Sequence, residues 1–180
     1  KSQKQADVLE DKKSDQWFEK NSSKINFERS SAFISFQKKE NILPPKVISQ
    51  ISDDTDLILK KLANPESKNN DIRGLVYGKV QMGKTTNYSM LINKALDSGY
   101  KLIVVLSGTT NDLRRQTQIA IEENIVGKTT EEDISGETIG IKKYYDENSG
   151  KSYPKIVTLT NRKSDFTRAT AESATTAAAA

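Results

Sequence analysis

No cysteine and no histidine occur in the 180-residue chain. The first absence excludes disulfides, thiol nucleophiles and cysteine-ligated metals. The second removes the usual general base near neutral pH and the commonest nitrogen ligand. Any metal used here is then a hard cation held by oxygens, and magnesium riding on a nucleotide fits that description. No stretch approaches the ~20 apolar residues of a membrane-spanning helix. The N-terminus lacks the charged-then-apolar order of a secretory signal. A cytoplasmic setting without membrane contact is therefore the simplest expectation. Charge of one sign is not in large excess either. A net charge of +4 permits a nucleic-acid partner without arguing strongly for one. No internal repeat is visible.

What is present centres on one stretch. Gly78, Lys79, Val80, Gln81, Met82, Gly83, Lys84 and Thr85 fit the phosphate-loop pattern of a glycine, four residues, then Gly-Lys-Ser/Thr. Gly78 and Gly83 let the backbone turn so that successive N–H groups face a phosphate. The helix expected after the loop adds the positive end of its dipole. Lys84 brings a full charge toward the β- and γ-phosphates, and the Thr85 hydroxyl is placed to ligate Mg²⁺. Thr86 is the next donor, for the α-phosphate. The competing reading is a glycine-rich turn with an incidental lysine.

The surroundings supply the context such a loop needs. Leu75-Val76-Tyr77 precedes it as a short apolar run, expected as a buried parallel strand. Tyr88, Leu91, Ile92, Ala95 and Leu96 recur at helical steps after it, and Gly99 suits the left-handed position past a helix end. Leu102-Ile103-Val104-Val105-Leu106 reads as a second buried strand, and Lys155–Thr160 as a third. Between them a helix starts near Asn111, with Leu113, Ala120 and Ile121 facing inward, and ends by Gly127. Residues 122 to 147 are acidic and read as an excursion with little core. The expected fold class is α/β, a P-loop NTPase with the parallel sheet of a RecA-like lobe and an N-terminal helical extension. The expected division is a helical or extended region over 1–70, the first nucleotide-binding lobe over 71–168, incomplete, and a low-complexity tail over 169–180. The Lys at the first position and the alanine-rich end give the chain the look of a fragment.

Upstream, Trp17, Phe18, Phe27, Phe33 and Phe36 are read as anchors docking the N-terminal arm onto the core, rather than as a platform for bases. A helix is expected from Pro44 to Leu62, opened by Pro44-Pro45 and stopped near Asn64-Pro65. Asp53, Asp54 and Asp56 are read as a solvated polar face rather than a metal site. One expected part is missing. No run of four apolar residues ends in Asp or Glu, so the second carboxylate that phosphate-loop hydrolases use is not in this chain.

Several motifs together resemble one family. They are Gly74-Leu75-Val76, Gly78-x-Val80-Gln81-x-Gly83-Lys84-Thr85, Asn87-Tyr88, Asp97-x-Gly99-Tyr100-Lys101, Leu113-Arg114-x-Gln116-Thr117-Gln118 and Gly127. This set is similar to the bacterial Z-one domain family (the name is usually written with a numeral), superfamily-two helicase-like ATPases often labelled endonucleases and found in restriction-like and phage-defence gene clusters. The likeness covers residues 74 to 127. Met82 departs from the serine usual there, which costs a side-chain hydroxyl but leaves the backbone role. The resemblance implies that the turn and helix start at Ser107, Gly108, Thr109, Thr110 and Arg114 grip a nucleic-acid backbone. Small hydroxyls and backbone N–H groups suit phosphate contact without base reading. Thr109, Thr110 and Asn111 serve equally as a helix cap.

The first expectation is thus an ATP- and Mg²⁺-binding, ATP-hydrolysing helicase-like module that engages nucleic acid, DNA first, in a phage-defence or restriction-like system. It would work with an effector or nuclease partner. The alternative is a nucleotide-dependent regulatory module with little hydrolysis. A small-molecule kinase is a third reading, for which the acidic segment makes a poor lid. Nothing in the chain gathers the carboxylates a nuclease needs.

Overall fold

The computed structural model describes residues 16–68, 72–77 and 83–172, with the side chains of 146–149 excepted. The chain divides into two compact units, Lys1–Ile103 and Val104–Ala180.

The described residues of the first unit form the α-helices α1 (Trp17–Asn21), α2 (Glu28–Lys39), α3 (Pro45–Leu59) and α4 (Lys84–Asp97). Proline opens α3, where a missing N–H costs nothing. The end of α4 is set by Gly99, whose φ of 101° only glycine adopts freely. Gly99 N–H bonds to Leu96 O and Tyr100 N–H to Ala95 O, both at 3.1 Å, the paired bonds that close a helix on a left-handed residue.

Helix α4 packs against both α2 and α3. Phe33, Ile48, Leu59 and Met90 are fully buried. Each such side chain contributes roughly 1.5–3 kcal/mol through the apolar surface it removes from water. A cluster of Trp17, Phe18, Leu59 and Ala95 gathers Ile25, Phe27, Leu62, Leu91, Tyr100 and Ile103 around it. Trp17 Nε1 donates to Leu62 O at 2.6 Å, and the Tyr100 hydroxyl donates to Ala63 O. The aromatics before α2 are therefore docking groups.

In the second unit, α5 (Asn111–Ile121) runs directly into a π-helical turn, Glu122–Val126, closed by Gly127 at φ 73°. Lys128 and Thr138 form an isolated antiparallel bridge. A 3-10 turn at Glu132–Ile134 and α6 (Ile141–Ser149) complete the unit. Ile125, Val126, Ile141 and Tyr145 are buried. Tyr145 meets Tyr153 edge-on at 5.0 Å, and the Tyr153 hydroxyl donates to Ile125 O. The acidic stretch 122–147, expected to carry little core, thus supplies much of this unit's core.

The expected fold class is overturned. Among the described residues there is no β-strand, and hence no parallel sheet of a RecA-like lobe. The segments 75–77, 102–106 and 155–160 carry no strand or bridge. Leu75 is 91% exposed, Tyr77 80% and Leu106 92%. The physical reason is that an apolar run becomes a strand only when a distant segment completes its ladder of N–H···O=C bonds. No described residue forms a β-bridge with these runs. Helix α4 responds accordingly. Its apolar positions Tyr88, Leu91, Ile92 and Leu96 are half-buried, while Thr86, Ser89, Met90, Asn93, Lys94 and Ala95 are the buried ones. The packed face is the one toward α2 and α3, and it is partly polar.

Candidate nucleotide site and the arginine-braced turn

The phosphate-loop positions Gly78, Lys79, Val80, Gln81 and Met82 lie outside the described residues. The end of the loop is described. Gly83 takes φ 94° and ψ −6° as the N-cap of α4. An added Cβ there would sit 3.6 Å from Ile51 Cδ1, an ordinary contact, so the dihedral and not crowding calls for glycine. The first backbone bond of the helix runs from Asn87 N–H to Gly83 O at 2.8 Å. The N–H groups of Lys84, Thr85 and Thr86 accordingly have no acceptor within the helix, and no side chain caps this end.

Lys84 and Thr85 are exposed on that first turn, and Thr86 is buried. Exposed backbone donors, the positive end of a 14-residue helix, an ammonium and a hydroxyl make a donor set that fits a phosphate. Lys84 and the backbone would hold the phosphates of ATP, and the Thr85 hydroxyl is the group able to meet Mg²⁺. Among the described residues no three acidic side chains gather as a cation cage. A magnesium ion at this helix end would therefore draw most of its ligands from the nucleotide and water.

The C-terminal half of α4 is tied to α3 by an ion pair between the buried Lys94 and the partly exposed Asp56. Lys94 Nζ donates to Asp56 Oδ1 at 2.6 Å, Ser52 O at 2.7 Å and Ser52 Oγ at 3.2 Å, which uses all three of its protons. Burial lowers the Lys94 pKa below its usual value, against the pull of Asp56. Of the three aspartates read as a solvated face, Asp53 is exposed and Asp54 accepts from Gln50 at 3.0 Å. Asp56 is the exception. The pairing joins residues 38 apart in sequence, and the sequence carried no signal for it.

In the second unit Ser107, Gly108, Thr109 and Thr110 are exposed. Thr110 caps α5, its Oγ1 accepting from Leu113 N–H at 3.3 Å. A Cβ at Gly108 would meet Leu113 Cδ1 at 2.6 Å, the end of an exposed side chain that is free to turn away.

Arg114, expected on the nucleic-acid path, is engaged within the unit. Its guanidinium donates to Asn161 O at 2.9 Å and Arg162 O at 2.8 Å, and lies 3.3 Å from Asp165 Oδ1. It braces the turn at 161–164, which is also tied by Asn161 Oδ1 accepting from Lys163 N–H at 2.8 Å and Ser164 N–H at 2.7 Å. Beside it, the fully buried Glu122 receives Arg162 through Nε and Nη2, each at 2.9 Å, together with Gln118 Nε2 and the Thr130 hydroxyl. Arg162 also reaches Glu131. This network, too, was not legible in the sequence.

The chain matches no described protein family, no curated protein and no solved structure.

Proposed function

We propose that the chain is an ATP-binding module, and an ATP-hydrolysing one where a second carboxylate is supplied, that engages nucleic acid in a bacterial defence system of the helicase-like kind its motifs resemble. The single observation behind this reading is the junction at Gly83. A left-handed glycine delivers the chain into α4, and Lys84 and Thr85 stand exposed on an uncapped first turn. The loop sequence before it has the residue types that a phosphate cradle needs. Nucleic acid would be met by the exposed hydroxyls and N–H groups of Ser107 to Thr110, with Arg114 shaping the unit rather than contacting phosphate.

The test is direct. A fluorescent ATP analogue is titrated into the chain in the presence of magnesium. Lys84→Ala should weaken binding at least ~10-fold, as expected when a charge-assisted phosphate contact is lost, without lowering the unfolding midpoint. Unchanged affinity in that variant would remove the assignment.

One observation favours the regulatory reading beside it. Arg114 is committed to backbone carbonyls, so the cation expected to serve nucleic acid is not on offer. If ATP binds but is not turned over, with or without DNA, the module is a nucleotide-dependent switch for an effector or nuclease partner.

A further inference from the structure

A cavity in the first unit is lined by none of the residues of the Gly83 junction. This cavity of about 300 Å³ opens where α1, α2, α3 and α4 converge, at the lower end of the range for small-molecule sites. Phe18, Phe27 and Ile34 give it apolar walls, and Lys94 and Asp56 also line it. We propose that it binds a small organic monoanion, an aryl or alkyl carboxylate, with Lys60 as the counter-ion.

The argument is one of charge left over. Lys94 and Asp56 neutralise each other, and Lys94 has no proton to spare. Asp97 sits behind Ser30, its oxygens already accepting from Arg29 N–H, Ser30 N–H and the Ser30 hydroxyl. Asp53 is exposed and screened by solvent. Lys60 is one helical turn beyond Asp56, the spacing at which an acid and a base commonly pair. Asp56 is turned to Lys94 instead. The Lys60 ammonium lies 5.9 Å from the centroid of the Phe18 ring, a weak cation–π contact. No carboxylate among the described residues pairs with it. Ser31, on the same cavity wall, exposes a hydroxyl. An apolar body against Phe18, Phe27 and Ile34 would place a carboxylate toward Lys60 and Ser31. A cation would be repelled by Lys60, and a neutral molecule would gain nothing from its charge. This proposal does not rest on the nucleotide reading.

Trp17 makes the site readable. It is the sole tryptophan, and its ring meets Phe18 edge-on at 5.7 Å. The experiment titrates 3-phenylpropionate into the chain and follows Trp17 fluorescence, with 3-phenylpropanol and phenethylamine as neutral and cationic counterparts. The expected result is saturable binding of the carboxylate, at least ~10-fold tighter than either counterpart. Lys60→Gln should abolish that preference and Lys60→Arg should keep it, both at an unchanged unfolding midpoint. Saturation-transfer NMR on the same samples reads binding independently of folding. The proposal is overturned if 3-phenylpropionate shows no saturable binding up to about 20 mM, a weak affinity on the scale of small ligands. It is equally overturned if the amine binds as well as the acid, or if Lys60→Gln binds like the parent chain.

Discussion

Asp97, on the last turn of α4, caps the start of α2 through Ser30. Its Oδ2 accepts from Ser30 N–H and from the Ser30 hydroxyl, both at 3.0 Å, while Oδ1 accepts from Arg29 N–H at 3.1 Å. No side chain within α2 caps that helix, so a residue 67 positions away does the work of an N-cap. This one carboxylate joins the end of α4 to the beginning of α2.

The cap has a pH signature. Burial raises the Asp97 pKa from 3.8 to about 6, against the lowering pull of the hydrogen bonds from Ser30 and Arg29 and of the Arg29 charge. The folded chain holds this proton more tightly than the unfolded chain. The stabilisation is fully present below about 3.8 and is lost as pH rises through about 6. In Asp97→Asn the group no longer titrates. The stability gap between parent and variant should narrow by on the order of 1–3 kcal/mol between about pH 4 and pH 7. Chemical denaturation across that range measures it, and a gap independent of pH would refute the assignment.

Among the described glycines of the second unit, Gly140 has the least room for a side chain. At φ 51°, a Cβ would fall 2.0 Å from the carbonyl oxygen of Glu123, inside the π-helical turn. Gly140→Ala should cost at least ~3 kcal/mol, because backbone must move and φ 51° with ψ −130° is a conformation that residues with a side chain rarely adopt. Gly136→Ala is the control. Its φ is 89° but nothing lies within 4 Å, so only the dihedral penalty of ~1–2 kcal/mol applies. Equal losses in thermal unfolding would show that crowding at Gly140 is not the constraint.

Glu122 and Arg162 form the buried charge centre of the second unit, with Glu122 fully buried and the Arg162 side chain 14% exposed. Arg162→Ala strands a buried carboxylate and should cost about 3–5 kcal/mol. Adding Glu122→Gln removes the stranded charge and should recover part of that loss. A double-mutant cycle by urea unfolding measures the coupling. Additive losses would mean that the two groups do not stabilise one another.

Local signals in the sequence carried over into structure wherever a nearby residue decided the outcome. Pro45 opens α3, Gly99 and Gly127 close their helices in the left-handed region, and Thr110 caps α5. The helix expected after the phosphate-loop pattern begins at Lys84, directly after the second glycine of that pattern. The strands were misread for the opposite reason. Leu75–Tyr77 and Leu102–Leu106 have the composition of buried strands, but a strand exists only with a partner, and no local pattern reveals whether one will come. The inward face of α4 was misread likewise, since Ser89, Asn93 and Lys94 are buried by α2 and α3 rather than by their own apolarity.

The division for the candidate sites is similar. By itself the sequence determined the residue types of a phosphate-loop pattern, the helix that starts at Lys84, the exclusion of cysteine and histidine chemistry, and roughly where α3, α4 and α5 begin. These follow from dihedral preference and side-chain chemistry within a few residues. Only the tertiary structure decided that Arg114 braces a turn, that Lys94 and Asp56 neutralise one another in the lining of a cavity, and that Asp97 caps a helix from a distance. Charge pairing across tens of residues depends on which surfaces meet, and only the packed chain brings those surfaces together.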